Sequence, residues 1–267
     1  TFESHGGHAM ILNNEIRDIK MKIYDKTRHP YLDRFIQKPE IDEEKIMVLL
    51  SMFKHSNRHG NLSDYVAAIM IMQMAMDMHD TVGVRPSETS THRPRQLTVL
   101  AGDYYSSQYY AMLADIGDFA LIRRIAEAVR QLNEHKTVLI RGDWQWSRFL
   151  DHLKFIETGL LLHVSDHLGL TGWSPLITPY FTRKRLVRER EAILNGHTTP
   201  FLEPLFSGRP DKRDPFLEKA AVWIKELESE VKTVLKKMTP IKEWFVDNLL
   251  VKLENSLSSR KKLVEEG

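Results

Sequence analysis

An acidic pair closes the longest apolar segment of the chain. Asp77 and Asp80 come just after the run 65–76, and Gly83 follows them. Because the two aspartates are three positions apart, they share one face of a helix. Such spacing is common in helices and by itself decides nothing, although a helix that ends in acids suggests chemistry performed by carboxylates. Such chemistry needs several carboxylates, however, and no two aspartates are adjacent anywhere in the 267 residues.

Two further clusters carry groups that could do chemistry. His163 and His167 stand four positions apart, as a helical metal pair would, but no third ligand follows at a recognisable spacing, which favours an ordinary helix face. The basic segment 183–190 could contact phosphate or RNA. Because Glu189 dilutes its charge and no aromatic side chains interleave, a solvated basic helix is predicted. Walker, nucleophile-elbow and dinucleotide motifs are absent, which leaves nucleotide-binding and hydrolase functions without support.

The overall composition describes one ordinary globular protein. A chain of 267 residues buries about 75% of its unfolded surface, so its core needs no disulfide or metal. There are no cysteines, which excludes thiolate chemistry and favours a cytoplasmic location. Lysine plus arginine (38) nearly balance aspartate plus glutamate (36), so the net charge is too small to attract nucleic acid or an anionic membrane. Any binding must therefore come from local sites. The longest apolar run has 12 residues, against about 20 for a transmembrane segment.

The elements that position these groups are predicted to be helical. Apolar residues recur at helical spacing in nearly every segment, and no convincing alternating strand occurs; residues 137–144 are the best candidate and a weak one. The fold class is therefore all-α, with roughly eight to ten helices. A loop is expected from Gly83 to Pro94. The main predicted helices run from about Met10 to Pro30, from Asp42 to Ser56, from Asn61 or Ser63 to Asp80, from Gln96 to His135 with a break at Gly117, and from Trp144 to Leu170.

A single all-α domain is predicted for residues 10–267. Residues 1–9 lack apolar periodicity and are typical of an appended tag, so they are left out of the fold. A proline-rich connection at 197–215 leads to C-terminal helices. The first of these helices has an a/d pattern of apolar residues, and a last helix follows Pro240. The a/d pattern consists of Leu217, Ala220, Ile224, Leu227, Val231, Val234 and Met238.

The segment "RQLTVLAGDYYSSQYYAMLADIGD", which follows a helix ending in "HDTVGV", resembles a known family. It is similar to the trans-prenyltransferase (isoprenoid synthase) helical bundle. The closer resemblance is to component 1, the small subunit of the heterodimeric heptaprenyl diphosphate synthases that make the menaquinone side chain. The similarity extends from Met10 to about Leu205, and "QLTVLAGDYYSSQYY" with "NEHK" is its most specific part.

The resemblance implies a degenerate metal motif. Catalytic members end this helix with two adjacent aspartates and a third three positions on, and a second cluster lies across the cavity. Together they hold Mg²⁺, which neutralises the diphosphate as the allylic carbon–oxygen bond breaks. Asp80 matches the first aspartate, but Thr81 and Val84 occupy the other two places. We therefore expect no catalytic residue and no metal on this chain, with Mg²⁺ on a partner. Asp80 is then a solvated or capping carboxylate, with residual metal contact as the alternative.

One face of the methionine-rich helix is a candidate wall for the prenyl chain. Ala75 lies where, by resemblance, family members set the depth open to the growing product, and methionines suit variable apolar ligands. Plain core packing is the alternative. The predicted wall consists of Met72, Ala75, Met76 and His79.

A tyrosine-rich stripe on the following helix is a candidate subunit interface. Its residues obey the i, i+3, i+4, i+7 rule, and tyrosine is enriched at interfaces because its hydroxyl needs a partner when buried. By resemblance this hairpin forms the dimer of the fold, and packing within the chain is an equal alternative. The stripe consists of Tyr105, Gln108, Tyr109 and Met112.

These observations lead to two hypotheses about function. In the first, the chain is the non-catalytic, regulatory subunit of a heterodimeric heptaprenyl diphosphate synthase. It is needed to elongate an allylic diphosphate with isopentenyl diphosphate and to set product length. Its partner is the aspartate-rich component 2, with the prenyl diphosphate in a shared cavity, and the isolated chain could form a homodimer. In the second, it is a stand-alone isoprenoid- or lipid-binding protein with a degenerate prenyltransferase cavity.

Overall fold

The computed structural model describes residues 2–56, 60–82, 92–142 and 144–237, with side chains described from Leu12 and, in the third range, from Pro94. Within these ranges every regular element is a helix, which confirms the all-α prediction. The ten α-helices there are α1 Phe2–Thr27, α2 Leu32–Phe35, α3 Glu43–His55, α4 Leu62–Asp80, α5 His92–Ile116, α6 Phe119–Arg141, α7 Trp146–His167, α8 Ser174–Leu194, α9 Glu203–Phe206 and α10 Arg213–Lys237. Short 3₁₀ helices lie at Thr171–Trp173 and Pro210–Lys212.

Side-chain caps fix the helix starts that position the site. The Asp42 carboxylate accepts hydrogen bonds from the backbone N–H groups of Glu44 at 3.0 Å and Lys45 at 3.3 Å, so α3 begins where its acidic first turn predicted. Asp118 caps α6 in the same way by accepting from the Leu121 N–H at 2.9 Å. Gly117, with φ of 82°, provides the left-handed residue that separates α5 from α6, which confirms the predicted break.

α4 forms the centre of the core. All residues from Tyr65 to Met72 are buried, and α1, α3 and α5 all pack against this helix. A helix that is apolar on every side is stable only when it is surrounded, which explains why its methionines spread around the axis without forming one stripe. The five methionines of α4 are all buried: Met70, Met72, Met74, Met76 and Met78.

A second layer contains α6, α7, α8 and α10, and the proline-rich connection packs onto it. α6 lies along α7, α7 along α8, and α8 along α10. The connection 197–215 contains α9, and four of its apolar residues reach the core. The buried stripe of α10 is Phe216, Ala220, Ile224, Leu227, Val231 and Leu235, so the predicted a/d pattern is right in its centre and shifted by one residue at each described end.

Several sequence predictions fall at or beyond the limits of the described chain. The weak strand candidate at 137–144 is wrong, because residues up to Arg141 are the end of α6. α5 begins at His92, inside the predicted loop. The backbone of α1 begins at Phe2, so residues 2–9 continue that helix, and their origin as a tag stays a prediction. Met238 and the predicted last helix lie outside the described residues. In the described ranges, no helix is long and apolar enough to cross a membrane.

Candidate functional site

A cavity of about 810 Å³ opens between α1, α3 and α4 on one side and α7, α8 and the proline-rich connection on the other. α4 contributes Met70 and Met74 to an apolar floor, and Phe201 of the connection adds to it. The remaining lining is dominated by charged side chains of both signs. These charged residues are Lys20, Lys38, Glu40, Asp42, Glu43, Glu44, Lys45, Asp77, Asp80, Glu157, Lys184, Arg185 and Arg188.

Glu157 is the buried centre of the charge network. Its carboxylate lies 2.8 Å from Lys45 Nζ and 3.4 Å from Arg185 Nη1, and all three side chains are largely removed from solvent. Burial by itself would raise the pKa of Glu157, but the two cations prevail and hold that pKa at about 2. Lys45 also donates to the backbone carbonyl of Glu157 at 3.3 Å. The carboxylate is therefore ionised at neutral pH, and α3, α7 and α8 are tied together through it.

A second ion-pair group stands at the start of α3. Lys184 Nζ lies 2.8 Å from both carboxylate oxygens of Asp42 and 2.7 Å from Glu44 Oε2. Burial lowers the pKa of Lys184, but Asp42 and Glu44 more than compensate and raise it. Asp42 thus has two tasks, since it caps α3 and also anchors α8.

Asp77 is an acid of the cavity lining whose pKa is raised. Gln73 Nε2 donates to its Oδ1 at 2.9 Å, and burial raises the pKa of the Asp77 carboxyl despite the attraction of Lys45. A raised pKa favours the protonated form, which is a poor metal ligand because the carboxylate must be deprotonated to bind.

Asp80 is held by an ion pair that the sequence did not reveal. Lys136 Nζ of α6 lies 2.7 Å from both of its carboxylate oxygens, and only 29% of the Asp80 side chain is exposed. The prediction of a solvated or capping carboxylate is therefore wrong. Thr81 has the capping role, since its Oγ1 donates to the carbonyl of Met78 at 2.7 Å. Val84, the third motif position, lies outside the described residues.

The residues present do not fit a Mg²⁺ site. The ion needs several ionised carboxylates with free oxygens. Here both oxygens of Asp80 bind Lys136, and burial raises the pKa of Asp77 above its usual value. Among the described residues, no group of three or more His, Cys, Asp or Glu could hold a metal. His163 and His167 also diverge, because the first faces the carbonyl of Gly159 and the second faces Asp118.

The basic segment of α8 turns towards the protein interior. Arg183 is buried, Arg185 is nearly so, and Glu189 is fully buried, where it accepts from the Thr199 hydroxyl and pairs with Arg185 Nε at 2.5 Å. The prediction of a solvated basic helix is wrong for these residues. The i, i+4 spacing of Arg185 and Glu189 was a signal that these charges satisfy each other.

The four predicted wall residues lie on a different face of α4 from the cavity. Met72, Ala75 and Met76 are buried, and none of the four lines the cavity described above. His79 packs over Gly102 of α5, where a β-carbon would come within 2.6 Å of the ring. By helical period the whole stripe therefore faces α5. Its role as a wall for a prenyl chain stays a prediction.

The predicted interface stripe is core in this chain. Tyr105, Tyr109 and Met112 are 0%, 1% and 5% exposed, and Gln108 is half-buried. Burial raises the pKa of Tyr105 to about 12. Such buried residues present no surface to a partner, which contradicts the prediction of a subunit interface at this stripe. The apolar residues that α5 does expose lie on its other side.

Large apolar side chains are exposed on α5 and at the start of α6. Val99 and Leu100 are 39% and 57% exposed, Tyr110 is 45% exposed, and Phe119 is 61% exposed. These side chains are among the large apolar groups that the described chain leaves in solvent. We call them the α5 face.

The all-α architecture places the chain in a known structural class. It has the fold of polyprenyl diphosphate synthases, since it matches a decaprenyl diphosphate synthase of Rhodobacter capsulatus over 93% of this chain and 98% of that one (TM-score 0.59, 14% identity). A heptaprenyl diphosphate synthase of Staphylococcus aureus matches over 91% and 96% (TM-score 0.64, 13% identity). A polyprenyl synthase of Roseobacter denitrificans matches over 96% and 100% (TM-score 0.62, 12% identity). Identities this low establish the fold alone.

The sequence itself identifies the family. The profile of heptaprenyl diphosphate synthase (HEPPP synthase) subunit 1 matches residues 29–239, and the chain belongs to this family. A relative named heptaprenyl diphosphate synthase component 1, from Geobacillus stearothermophilus, is 37% identical over 141 residues. The match spans 52% of this chain and 63% of that relative. The resemblance predicted from the α4–α5 segment is thereby confirmed.

Lys45, Lys136 and Glu157 are the site residues that sequence reasoning missed. Each belongs to an ion pair between helices, with partners separated by 56 residues for Lys136 and 112 for Lys45. Helical periodicity contains no information on such distant pairs. Lys136 did lie within the family-specific string "NEHK", which was the one available signal.

Proposed function

We propose that this chain is the non-catalytic, regulatory subunit of a heterodimeric heptaprenyl diphosphate synthase. One observation carries the proposal: Asp80, the one carboxylate at the three motif positions, is held by an ion pair within the chain. Lys136 Nζ contacts both of its oxygens. A synthase site needs ionised carboxylates that recruit Mg²⁺ and, through it, a diphosphate. The described residues of this chain provide no such set of free carboxylates.

The catalytic residues and Mg²⁺ then belong to a second, aspartate-rich subunit. The family description "subunit 1" and the relative's name "component 1" both support a second component. That component would elongate an allylic diphosphate with isopentenyl diphosphate, and the prenyl chain would lie in a cavity shared between subunits. This chain would help to set product length. The menaquinone side chain is the destination we propose, and the absence of cysteines favours a cytoplasmic location.

The α5 face is the surface that we propose for the partner. Its exposed Leu100, Tyr110 and Phe119 have the aromatic and aliphatic character of interface cores, whereas the tyrosines on the opposite side of α5 are already buried. In the absence of the partner, the same face could support a homodimer. Interface aromatics of this kind often contribute most of the binding free energy.

A second function is favoured by the cavity floor. Met70, Met74 and Phe201 provide an apolar surface inside a cavity of about 810 Å³, which is large enough for an isoprenoid or lipid. A stand-alone lipid-binding protein would use this floor without any synthase partner. Such a protein would co-purify with a bound lipid and would not bind an aspartate-rich subunit.

Reconstitution tests the subunit proposal. This chain, a candidate aspartate-rich subunit and their mixture are each incubated with Mg²⁺, farnesyl diphosphate and labelled isopentenyl diphosphate, and the products are resolved by length. We expect long products from the mixture alone. Turnover by this chain in isolation, or the same products from the aspartate-rich subunit without it, would refute the proposal.

Two matched surface variants test whether the α5 face is the partner surface. Tyr110→Ala, on the α5 face, should weaken the mixture's activity in a way that higher subunit concentrations restore. Val222→Ala, a substitution at another exposed apolar residue, should leave the activity unchanged. If both variants behave alike, the α5 face is not the partner surface.

A further inference from the structure

Two histidines meet between α6 and α7. The Nδ1 atoms of His135 and His152 lie 2.8 Å apart, and the ring centroids are separated by 4.9 Å. These two distances place both nitrogens close to the line that joins the ring centres, so the nitrogens point at each other and do not converge on a metal ion. At this distance one Nδ1 carries a proton and donates it to the other Nδ1, which accepts. The two helices are therefore joined by a hydrogen bond that depends on the protonation of both rings.

The surroundings of the pair withdraw it partly from water. The Phe155 ring stacks on His135, with 4.4 Å between the ring centroids and an interplanar angle of 13°. Both histidines are half-buried. Because burial disfavours the charged form of an imidazole, rings in this setting bind an added proton less readily than exposed histidines do.

The charged groups that act on the pair come from the same two helices. Burial lowers the pKa of His135, and the ring of His152 adds to this shift, whereas Glu134 on α6 opposes it. Burial also lowers the pKa of His152, with Asp151 opposing the shift and Arg148 adding to it. Among the described residues, no charged group of another helix shifts either pKa. Both rings therefore favour the neutral form in the folded chain.

The pair can accommodate one added proton but not two. After the first protonation, a charged ring still donates to the neutral Nδ1 of the other ring. After the second, both Nδ1 atoms carry hydrogen, so neither can accept, and two like charges face each other across the contact. The two protonation steps thus belong to the pair as a whole, and the second step breaks the hydrogen bond between the helices.

We propose that the His135–His152 pair is a proton-sensitive latch between α6 and α7, closed near neutral pH and opened by mild acid. Lys136 follows His135 directly, and its Nζ holds both oxygens of Asp80 at the cavity. Opening of the latch loosens the part of α6 that positions Lys136. The latch therefore couples the surrounding pH to the ion pair of Asp80. This inference goes beyond the subunit role and requires no synthase partner.

The lowered pKa values set the sign and the pH range of the effect. The folded chain binds protons at the pair less readily than the unfolded chain, in which histidine has a pKa of about 6.5. The pair therefore changes stability little above that pH, and the free energy of unfolding falls as the pH drops below it. The carboxylate of Glu157 acts only below pH 4.5, so the two effects occupy different pH ranges.

A proton NMR titration of the histidine ring signals in the full chain tests the latch directly. We expect the two rings to titrate together in two steps, with the second step well below the range of ordinary histidines. In H152Q no second ring faces His135, so His135 should titrate in a single step at a higher pH than the second step of the pair. A titration of His135 that is the same in H152Q and in the unmodified chain would overturn the proposal, because the rings would then be independent.

Urea unfolding between about pH 7.5 and about pH 5 measures the effect on stability. Over this range the unfolding equilibrium constant should rise about fivefold more in the unmodified chain than in H135Q/H152Q, because one hydrogen bond contributes about fivefold to that constant. Glutamine keeps a polar side chain at both positions but does not titrate. H197Q is the matched control, since it removes an exposed histidine outside the pair and should follow the unmodified chain. Equal pH dependence of the double variant and the unmodified chain would refute the latch.

Amide hydrogen exchange locates the opening. After correction for the intrinsic pH dependence of exchange, residues 131–141 of α6 should lose protection in mild acid earlier than α4, and H135Q/H152Q should abolish this difference. A uniform loss of protection along the chain would contradict a local latch. None of these measurements involves turnover or a second subunit, so their failure leaves the subunit proposal standing.

Discussion

Replacing Glu157 with glutamine should reveal how much the buried ion-pair network stabilises this fold. The depression of the Glu157 pKa from 4.5 to about 2 corresponds to about 3 kcal/mol of stabilisation at neutral pH. An independent argument agrees, because removing one partner from a buried pair typically costs about 3–5 kcal/mol by leaving the other charge uncompensated. Here Lys45 and Arg185 would both lose their shared partner. We therefore expect E157Q to lower the free energy of unfolding by about 3 kcal/mol.

The pH dependence gives the prediction a second, sharper test. The folded pKa of Glu157 lies below its unfolded value, so the ionised form stabilises the native state. This contribution is complete above pH 4.5 and is lost as the pH falls towards about 2. Urea unfolding followed by circular dichroism should thus show a difference between E157Q and the unmodified chain that is constant near neutrality and shrinks on acidification.

Glu127 provides the matched control. Hydrogen bonds from Arg130 and Gln131 hold its pKa at about 2 as well, but its side chain is 40% exposed, against 12% for Glu157. Solvent and salt screen such surface pairs, so E127Q should change stability far less than E157Q. Equal effects of the two substitutions, or a pH-independent effect of E157Q, would refute the view that a desolvated Glu157 carboxylate ties the helices together.

Three further substitutions test the site and the faces of α4 and α5. Lys136→Gln should cost about 1–2 kcal/mol in urea unfolding because it removes a charged hydrogen-bond donor from Asp80. Calorimetry should still detect no Mg²⁺ binding, because one freed carboxylate does not make a Mg²⁺ site; tight binding would show that neighbouring residues complete one. Tyr109→Ala should cost about 3–5 kcal/mol of stability, whereas Tyr110→Ala should cost less than about 1 kcal/mol. The reverse order would contradict the assignment of Tyr109 to the core and of Tyr110 to the surface. Ala75→Leu should cost about 1–3 kcal/mol by overpacking the α4–α5 contact, and an unchanged melting curve would show that Ala75 borders free space instead.

Much of the site was predictable because its signals are local. Asp42 with its acidic first turn predicted the start of α3, and Gly117 predicted the break between α5 and α6. That Asp80 is the remnant of a metal motif stays a prediction, made from the residues at the other two positions, which can be read from the chain. Each of these signals depends on neighbours within one helical turn, and such neighbours are visible in the sequence.

The failed predictions concern which way a helix faces. Tyr105 and Tyr109 share a face by helical period, but tyrosine suits both a core and an interface, so the period could not decide between them. The sequence of the basic segment of α8 likewise fits either a solvated or a buried helix face. Arg185 would be solvated in an isolated helix, and it is buried here because it forms ion pairs with Glu157 and Glu189. Helix orientation follows from the packing of the whole bundle, which no single segment encodes.

The sequence by itself determined the helical class, most helix boundaries and the family, because these depend on apolar period, caps and family-specific strings. Only the tertiary structure decided that Lys136 neutralises Asp80 and that Lys45 and Arg185 share Glu157. The physical reason is the range of the interactions. A cap or a helical stripe involves residues within a few positions, whereas an ion pair between helices requires two distant side chains to be desolvated together. That pairing exists only once the bundle has closed.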